Sequence, residues 1–321
     1  MEIGSFLELQ LPKGRELYNQ ETNIARLNTG RMGIWHAFRV TGCNRIWVPI
    51  YQCDSIRETL EKKGVEICFY HIDKDWNPLD IEVADDDAVL LVNYYGIMSS
   101  GRMAELVKPY KHAIIDCAQA FFCRSVEGAL MVYSCRKFVG VPDGAYVIGK
   151  GAHKYMEEYP QCYSSDTAAY LLKRIEYGCE GKGYKARSLN EHRIDAEDCM
   201  KMSKLTRTLM DAEDYAYDCQ KRKENFAYAH SLLGDINKIN PTKYMDEETI
   251  PMVYPLVVED DNLIKRLFAA KHFQGHWWSY ICDEQPEMSF EYWISRYVIP
   301  ITIDQRYGKN EIDYLVNIIK R

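Results

Sequence analysis

Between Arg31 and about Gly149 the chain alternates short apolar runs with amphipathic stretches. RIWVPI, VEICFYHI, AVLLVNYYG, HAIIDCA, ALMVYS and GAYVIGK read as strands, while DSIRETLEKKG and AELVKPYK read as helices between them. This alternation predicts an α/β fold, a mostly parallel sheet with helices on both faces. Ligands of such sheets collect at the carboxyl ends of the strands, so the residues that follow each apolar run are the ones to inspect.

Beyond Lys150 the sequence turns polar and tyrosine-rich (HKYMEEYPQCYSSDTAAYLLKRIEYGCEGKGYKARSLNEH), which predicts helices and a Gly-rich loop. The proline-free stretch from Met202 to Leu233 reads as one long helix or two joined ones. A later unit follows, with IPMVYPLVVEDD and YVIPITID as strands and NLIKRLFAAKHF and KNEIDYLVNIIK as helices. The polar segment around 235–250 divides the chain into a large domain, 1–235, and a smaller C-terminal α+β domain, 236–321.

One segment breaks the pattern. YSCRKFVGVPDGAYVIG, Tyr133 to Gly149, begins and ends like apolar strand but carries Ser134, Arg136 and Lys137 and then a turn with Gly140, Pro142 and Gly144. An unpaired ammonium inside a buried strand is too costly to retain, so something is expected to offset Lys137.

Composition narrows the class. The chain has 321 residues, 47% of them hydrophobic, enough for two cores. Its eleven cysteines are odd in number and without CxxC spacing, which suits reduced thiols of a cytoplasmic protein. MEIGSFLELQLPKGR is acidic where a signal peptide is basic, and no apolar run reaches membrane-spanning length. A net charge of -7 argues against a general nucleic-acid binder. The eight histidines are scattered, giving no ligand spacing for a metal.

Asp116 ends HAIID, at the carboxyl end of a predicted buried strand, and Lys137 follows 21 positions later, after one more apolar run. The two suit a plain ion pair, with Asp116 alone suiting a helix cap. They also suit the two sides of an aldehyde cofactor: the lysine amine bonds the aldehyde, and the carboxylate keeps a pyridine nitrogen protonated. Pyridoxal 5'-phosphate has such a ring and a phosphate besides. Thr29 and Gly30 open an amphipathic helix whose Ile34, Ala37 and Phe38 have helical spacing, and free N–H groups at a helix start attract phosphate. Ser134 offers a further hydroxyl.

TGR at a helix start, then VPIYQCDSI, LVNYYG, IIDCAQAF and YSCRKFVGVPDGA, in this order, resembles the DegT/DnrJ/EryC1/StrS family of sugar aminotransferases. LTRTLM near 206 and VIPITIDQRYGKNEID extend the resemblance over most of the chain. It implies pyridoxal-phosphate fold type I, like aspartate aminotransferase. It also implies Lys137 as the cofactor lysine, Asp116 as the pyridinium partner, Gln119 on the cofactor face or its O3', and Thr29, Gly30, Arg31 and Ser134 around the phosphate. Tyr51 or Tyr95 is the expected stacking ring. Arg136 suits either a substrate anion or an ion pair, and HWW at 276–278 and QRY at 305–307 suit either the substrate entrance or packing.

The resemblance further implies a homodimer that transfers an amino group, from glutamate, to a nucleotide-linked keto-sugar in surface-polysaccharide or related biosynthesis. Family dehydratases replace the lysine with histidine, so Lys137 argues against that chemistry; a non-catalytic relative that binds a sugar nucleotide is the alternative. Three features depart from the family. Ser134 and Lys137 are three positions apart rather than separated by five residues, Gly144-Ala145 replaces a Gly pair, and Cys199 or Lys201 stands where a partner-subunit Asn is usual.

Overall fold

The computed structural model describes residues 3–321. Its main sheet uses β1 (Ile24–Leu27), β2 (Arg45–Pro49), β3 (Glu66–Ile72), β4 (Pro78–Leu79), β5 (Asp87–Val92), β6 (Ala113–Cys117), β7 (Ala129–Ser134) and β8 (Ala145–Ile148). The spatial order is β1-β8-β7-β6-β5-β2-β3-β4. From β7 to β3 every pair is parallel, while β8 runs antiparallel to both β7 and β1, and β4 antiparallel to β3. The α/β class and the mostly parallel sheet expected from the sequence are observed. The short edge strands β1 and β4 have no counterpart in that expectation; neither carries an apolar run.

β5, β6 and β7 are buried at every position, because the sheet is covered on both faces. Alternation sorts their side chains. Leu90, Ile114 and Val132 join the apolar cluster under α1 (Gly30–Thr41), whereas Leu91, Ile115, Met131 and Tyr133 face a second cluster shared with the C-terminal part of the chain. Ile34, Ala37 and Phe38 form the buried stripe of α1, as their spacing requires. Gly33 permits the close approach: a Cβ there would lie 2.8 Å from Val132 Cγ1. The start of α1 is thereby held over the carboxyl end of β7.

The amphipathic stretches become α2 (Asp54–Lys62) and α3 (Ser100–Val107). The Tyr-rich region forms α4 (Ala169–Tyr177) and α5 (Gly181–Ala196), joined by a short turn with positive φ at Gly178 and at Gly181, the first residue of α5. The 202–233 stretch is two helices, α6 (Lys204–Asp211) and α7 (Tyr215–Leu233), with the break made where the Asp214 side chain caps α7 by accepting from Tyr217 N. α8 (Leu263–Ala269), α9 (Ile281–Glu284), α10 (Phe290–Tyr297) and α11 (Lys309–Ile319) surround an antiparallel pair, β9 (Val253–Val257) with β10 (Val298–Thr302). This is the α+β unit expected at the C-terminus.

Candidate active site

Parallel strands carry their carboxyl ends to one edge, and register decides which residues meet there. Asp116 pairs with Val92 of β5 and Val132 of β7, so its carboxylate stands at the mouth of the sheet's centre. It is buried. Its Oδ1 accepts from Ala118 N at 2.8 Å and its Oδ2 from Gln52 Nε2 at 3.1 Å. Burial pushes the Asp116 carboxyl up from the ordinary value, while the positive charge of Lys137 acts against that rise, helped by the two hydrogen bonds.

Lys137 corrects one expectation from the sequence. β7 ends at Ser134, and a single 3-10 turn, Cys135–Lys137, follows it. The lysine is therefore outside the strand and exposed, and no burial penalty arises. Among the described residues its ammonium has no ion-pair partner, whereas the neighbouring Arg136 pairs with Glu191 of α5. Of the two readings of Arg136, the ion pair is the one observed.

The loop after Lys137 is tied down from two sides. Gly144 N donates to Asn28 O at 2.6 Å, which joins the loop's end to the residue before Thr29. Asn28 in turn donates from Nδ2 to Asp198 O and accepts from Met200 N, linking the segment before α6 to the start of α1. Buried Asp143 accepts from Ser203 N at 3.2 Å, from Ser203 Oγ at 3.0 Å and from Thr206 Oγ1. Gly144 has φ +118, and a Cβ there would lie 2.9 Å from Thr206 Cγ2, so neither the backbone nor the space admits a larger residue.

Thr29 caps α1, its side chain accepting from Met32 N at 3.3 Å. A Cβ on Gly30 would sit 3.5 Å from Ser134 Cβ and 3.8 Å from Ser134 Oγ, filling the gap between the helix start and the serine. Thr29, Gly30 and Ser134 are thus brought together. Arg31 is directed elsewhere: its Nη1 lies 2.7 Å from Asp195 Oδ1 of α5. Cys199 and Lys201 lie on the segment beside β1, with Lys201 bridging Leu27 and Gln161 and its ammonium on Glu157.

Gln119 lies in the turn after β6, where its Oε1 accepts from Tyr95 N at 2.6 Å. Tyr95 has φ +58, a conformation uncommon outside glycine, and this bond helps hold it. Tyr51 and Tyr95 bond to each other through their hydroxyls, and neither ring is exposed. Trp277 stacks on Tyr95 with centroids 5.6 Å apart, and Trp278 meets Tyr51 edge-on at 4.6 Å. Neither tyrosine presents an open face, so the expected stacking ring is not offered at the surface. Burial of both phenols in this aromatic cluster raises their pKa. The HWW segment is packing here, and Gln305 of the QRY segment donates to Phe138 O, next to Lys137.

Two residues of the site escaped the sequence reading. Gln52 follows the apolar run of β2, the position at which ligand-facing residues are sought, yet its amide is recognised as important only by its contact with Asp116. Asn28 precedes the TGR segment and shows nothing in sequence of its link to 198–200. Cavities of about 410 Å³, beside Gly96, Ala120 and Cys123, and about 150 Å³, beside Gln52 and Tyr280, flank the site; neither is lined by Asp116 or Lys137.

No family model matches the sequence, and no curated protein matches it. Solved structures do. A putative sugar aminotransferase Spr1654 from Streptococcus pneumoniae, in its PMP-form, is 15% identical with a TM-score of 0.66, over 95% of this chain and 87% of that one. The sugar aminotransferase CalS13 from Micromonospora echinospora is 15% identical with a TM-score of 0.61, over 94% and 88%. A DegT DnrJ EryC1 StrS aminotransferase from Brucella abortus is 13% identical with a TM-score of 0.58, over 92% and 85%. Over nearly its whole length, this chain has the fold of these aminotransferases.

Proposed function

We propose that this chain is a pyridoxal-phosphate-dependent aminotransferase of the DegT/DnrJ/EryC1/StrS family. Its reaction would move an amino group from glutamate to a nucleotide-linked keto-sugar in surface-polysaccharide or related biosynthesis. The observation that carries the reading is the pair Asp116, near the carboxyl end of β6, and Lys137, in the turn after the adjacent parallel strand β7, close enough for the lysine charge to act on the carboxylate. The likeness in fold to sugar aminotransferases, one of them, Spr1654, solved in both PLP- and PMP-forms, supports the same reading.

The residues present fit the cofactor. The Gly30–Ser134 gap and the free N–H groups at the start of α1 suit its phosphate, with Thr29 and Ser134 as hydroxyl donors and Arg31 contributing only its backbone amide. Asp116 retains lone pairs beyond its two hydrogen bonds and would hold a proton on the ring nitrogen, whose charge would in turn keep the carboxylate ionised. Gln119, on the same edge, would border the ring. When bound, pyridoxal phosphate supplies an electron sink for the carbon that bears the transferred nitrogen. Lys137 Nζ would hold the cofactor, then take a proton from one carbon and return it to another. With no ion-pair partner among the described residues, the nitrogen would be available for both tasks.

The division into 1–235 and 236–321 belongs to the same reading, with the aromatic cluster of Trp277 and Trp278 facing the site from the smaller part. So does a homodimer. Leu172 and Ile175 of α4 and Tyr184 and Leu189 of α5 are apolar and exposed, on a hairpin whose Asn190 donates to Pro142 O in the loop after Lys137. A mass measured under native conditions tests the dimer.

The test of function is direct. Purified protein mixed with pyridoxal phosphate should turn yellow, lose its visible band on borohydride reduction and gain a pyridoxyl mass on Lys137. Lys137→Ala should stay folded and show neither. A band that survives in Lys137→Ala, or a wild-type protein that stays colourless with excess cofactor, overturns the assignment.

A further inference from the structure

Gln52 has a fixed orientation that the proposed chemistry does not by itself require. It is buried, at the carboxyl end of β2, 64 residues from Asp116 in sequence. A glutamine amide can present either its oxygen or its nitrogen to a neighbour, and which one it presents decides whether it supports or opposes a carboxylate. Here the ambiguity is removed locally. Cys53 N donates to Gln52 Oε1 at 2.9 Å, so the oxygen is engaged and Nε2 is the end turned to Asp116 Oδ2. The backbone is held as well: Tyr280, just before α9, donates its hydroxyl to Gln52 O at 2.6 Å. Arg57 of α2 pairs with Glu284 of α9 at 3.0 Å, a second tie between the same two regions.

We propose that Gln52 is a positioning residue for Asp116, holding the carboxylate ionised and aimed out of the strand end, and that Tyr280 links this orientation to the docking of the C-terminal region. The proposal rests on the reading of Asp116 as the pyridinium partner for its purpose, but its physical content concerns the carboxylate alone. Four groups besides Gln52 face Asp116. Lys137 and the Ala118 amide favour its charged form; the charge of the carboxylate in turn adds to the burial that raises the pKa of Tyr94 and Cys117. In so desolvated a place one directed donor to a charged acceptor matters more than at a surface. Asp116 oxygens satisfied by Gln52 and Ala118 keep their remaining lone pairs for a third donor, which is where a ring N–H would come.

The experiment is a titration of the cofactor-free protein. Carboxyl-carbon NMR of aspartate-labelled protein, with Asp116→Asn identifying the resonance, reads the Asp116 pKa in wild type, Gln52→Leu, Gln52→Glu and Tyr280→Phe. Losing one hydrogen bond to a charged group should raise the proton affinity of Asp116 about tenfold or more in Gln52→Leu, a rise of about one pH unit. Gln52→Glu, which adds a like charge, should raise it at least as far. Tyr280→Phe should give a smaller rise in the same direction. An unchanged Asp116 pKa in folded Gln52→Leu and Gln52→Glu overturns the proposal, and an unchanged value in Tyr280→Phe alone removes the link to the C-terminal region. Because Gln52→Glu is nearly the same size as the native residue, it keeps the test open if the leucine variant unfolds. A separate arm measures pyridoxal phosphate binding by its absorbance. Failure of wild type to bind cofactor, with the titration as expected, refutes the proposed activity and leaves the role of Gln52 standing.

Discussion

Replacing Asp143 with alanine tests the claim that the loop carrying Lys137 is held in place from below. The carboxylate is fully buried and accepts three hydrogen bonds, from Ser203 N, Ser203 Oγ and Thr206 Oγ1, at the start of α6. Hydrogen bonds to a charged acceptor contribute about 1.5–3 kcal/mol each, so a simple sum runs to about 5–9 kcal/mol. The sum overstates the loss. The hydroxyls of Ser203 and Thr206 can turn to other acceptors, and Ser203 Oγ keeps its bonds from Ser164 Oγ and Thr206 N. The Ser203 amide has no such freedom, and removing a carboxylate also removes its desolvation cost. What remains is the orphaned amide, about 1–3 kcal/mol, plus a cavity the size of a carboxylate, giving about 3 kcal/mol in all. In a chain of this length that lowers the melting temperature by about 5 °C. Asp143→Asn keeps one carbonyl oxygen for the Ser203 amide and should lose about half as much. The assay is thermal and urea unfolding of all three proteins, with limited proteolysis scoring cleavage between Phe138 and Gly144. A melting temperature within 1 °C of wild type for Asp143→Ala, with no new cleavage, would refute the reasoning.

Two further predictions concern charge. Asp218 is buried with its Oδ2 unpartnered, and burial together with Glu213 pushes its carboxyl up to about 7 against the pull of Arg222. A raised acid stabilises the fold fully below its unfolded value of about 4 and loses that contribution as pH climbs through about 7. Asp218→Asn should therefore gain on wild type between pH 4 and 7.5, by no more than about 4 kcal/mol in urea unfolding; a gap that does not change with pH refutes it. Arg31→Ala should alter the affinity for pyridoxal phosphate by less than about threefold, because its guanidinium is engaged by Asp195 in a partly exposed pair worth little. A hundredfold weakening in equilibrium binding would instead place the guanidinium on the phosphate.

The sequence pattern determined much by itself: the strands of the sheet's centre, though not the edge strands β1 and β4, that the sheet is mostly parallel, that Asp116 lies at a strand's carboxyl end, and that Thr29 and Gly30 open a helix. These are local properties, set by side-chain alternation, helical spacing and backbone hydrogen bonding within a few residues. Lys137 shows the limit of that legibility. Its segment reads as apolar strand, and a single 3-10 turn three residues long is enough to move it from the interior to the surface. Only the tertiary structure decided the partners. Gln52 meets Asp116 across 64 residues and Tyr280 meets Gln52 across 228, while Arg31 meets Asp195 and Trp277 covers Tyr95. No local pattern encodes such pairs, because a side chain's choice among distant donors depends on strand register and on which faces pack together. The chemistry that a residue can offer is written in its own identity; whether it is free to offer it is settled by neighbours that the folded chain brings from far away.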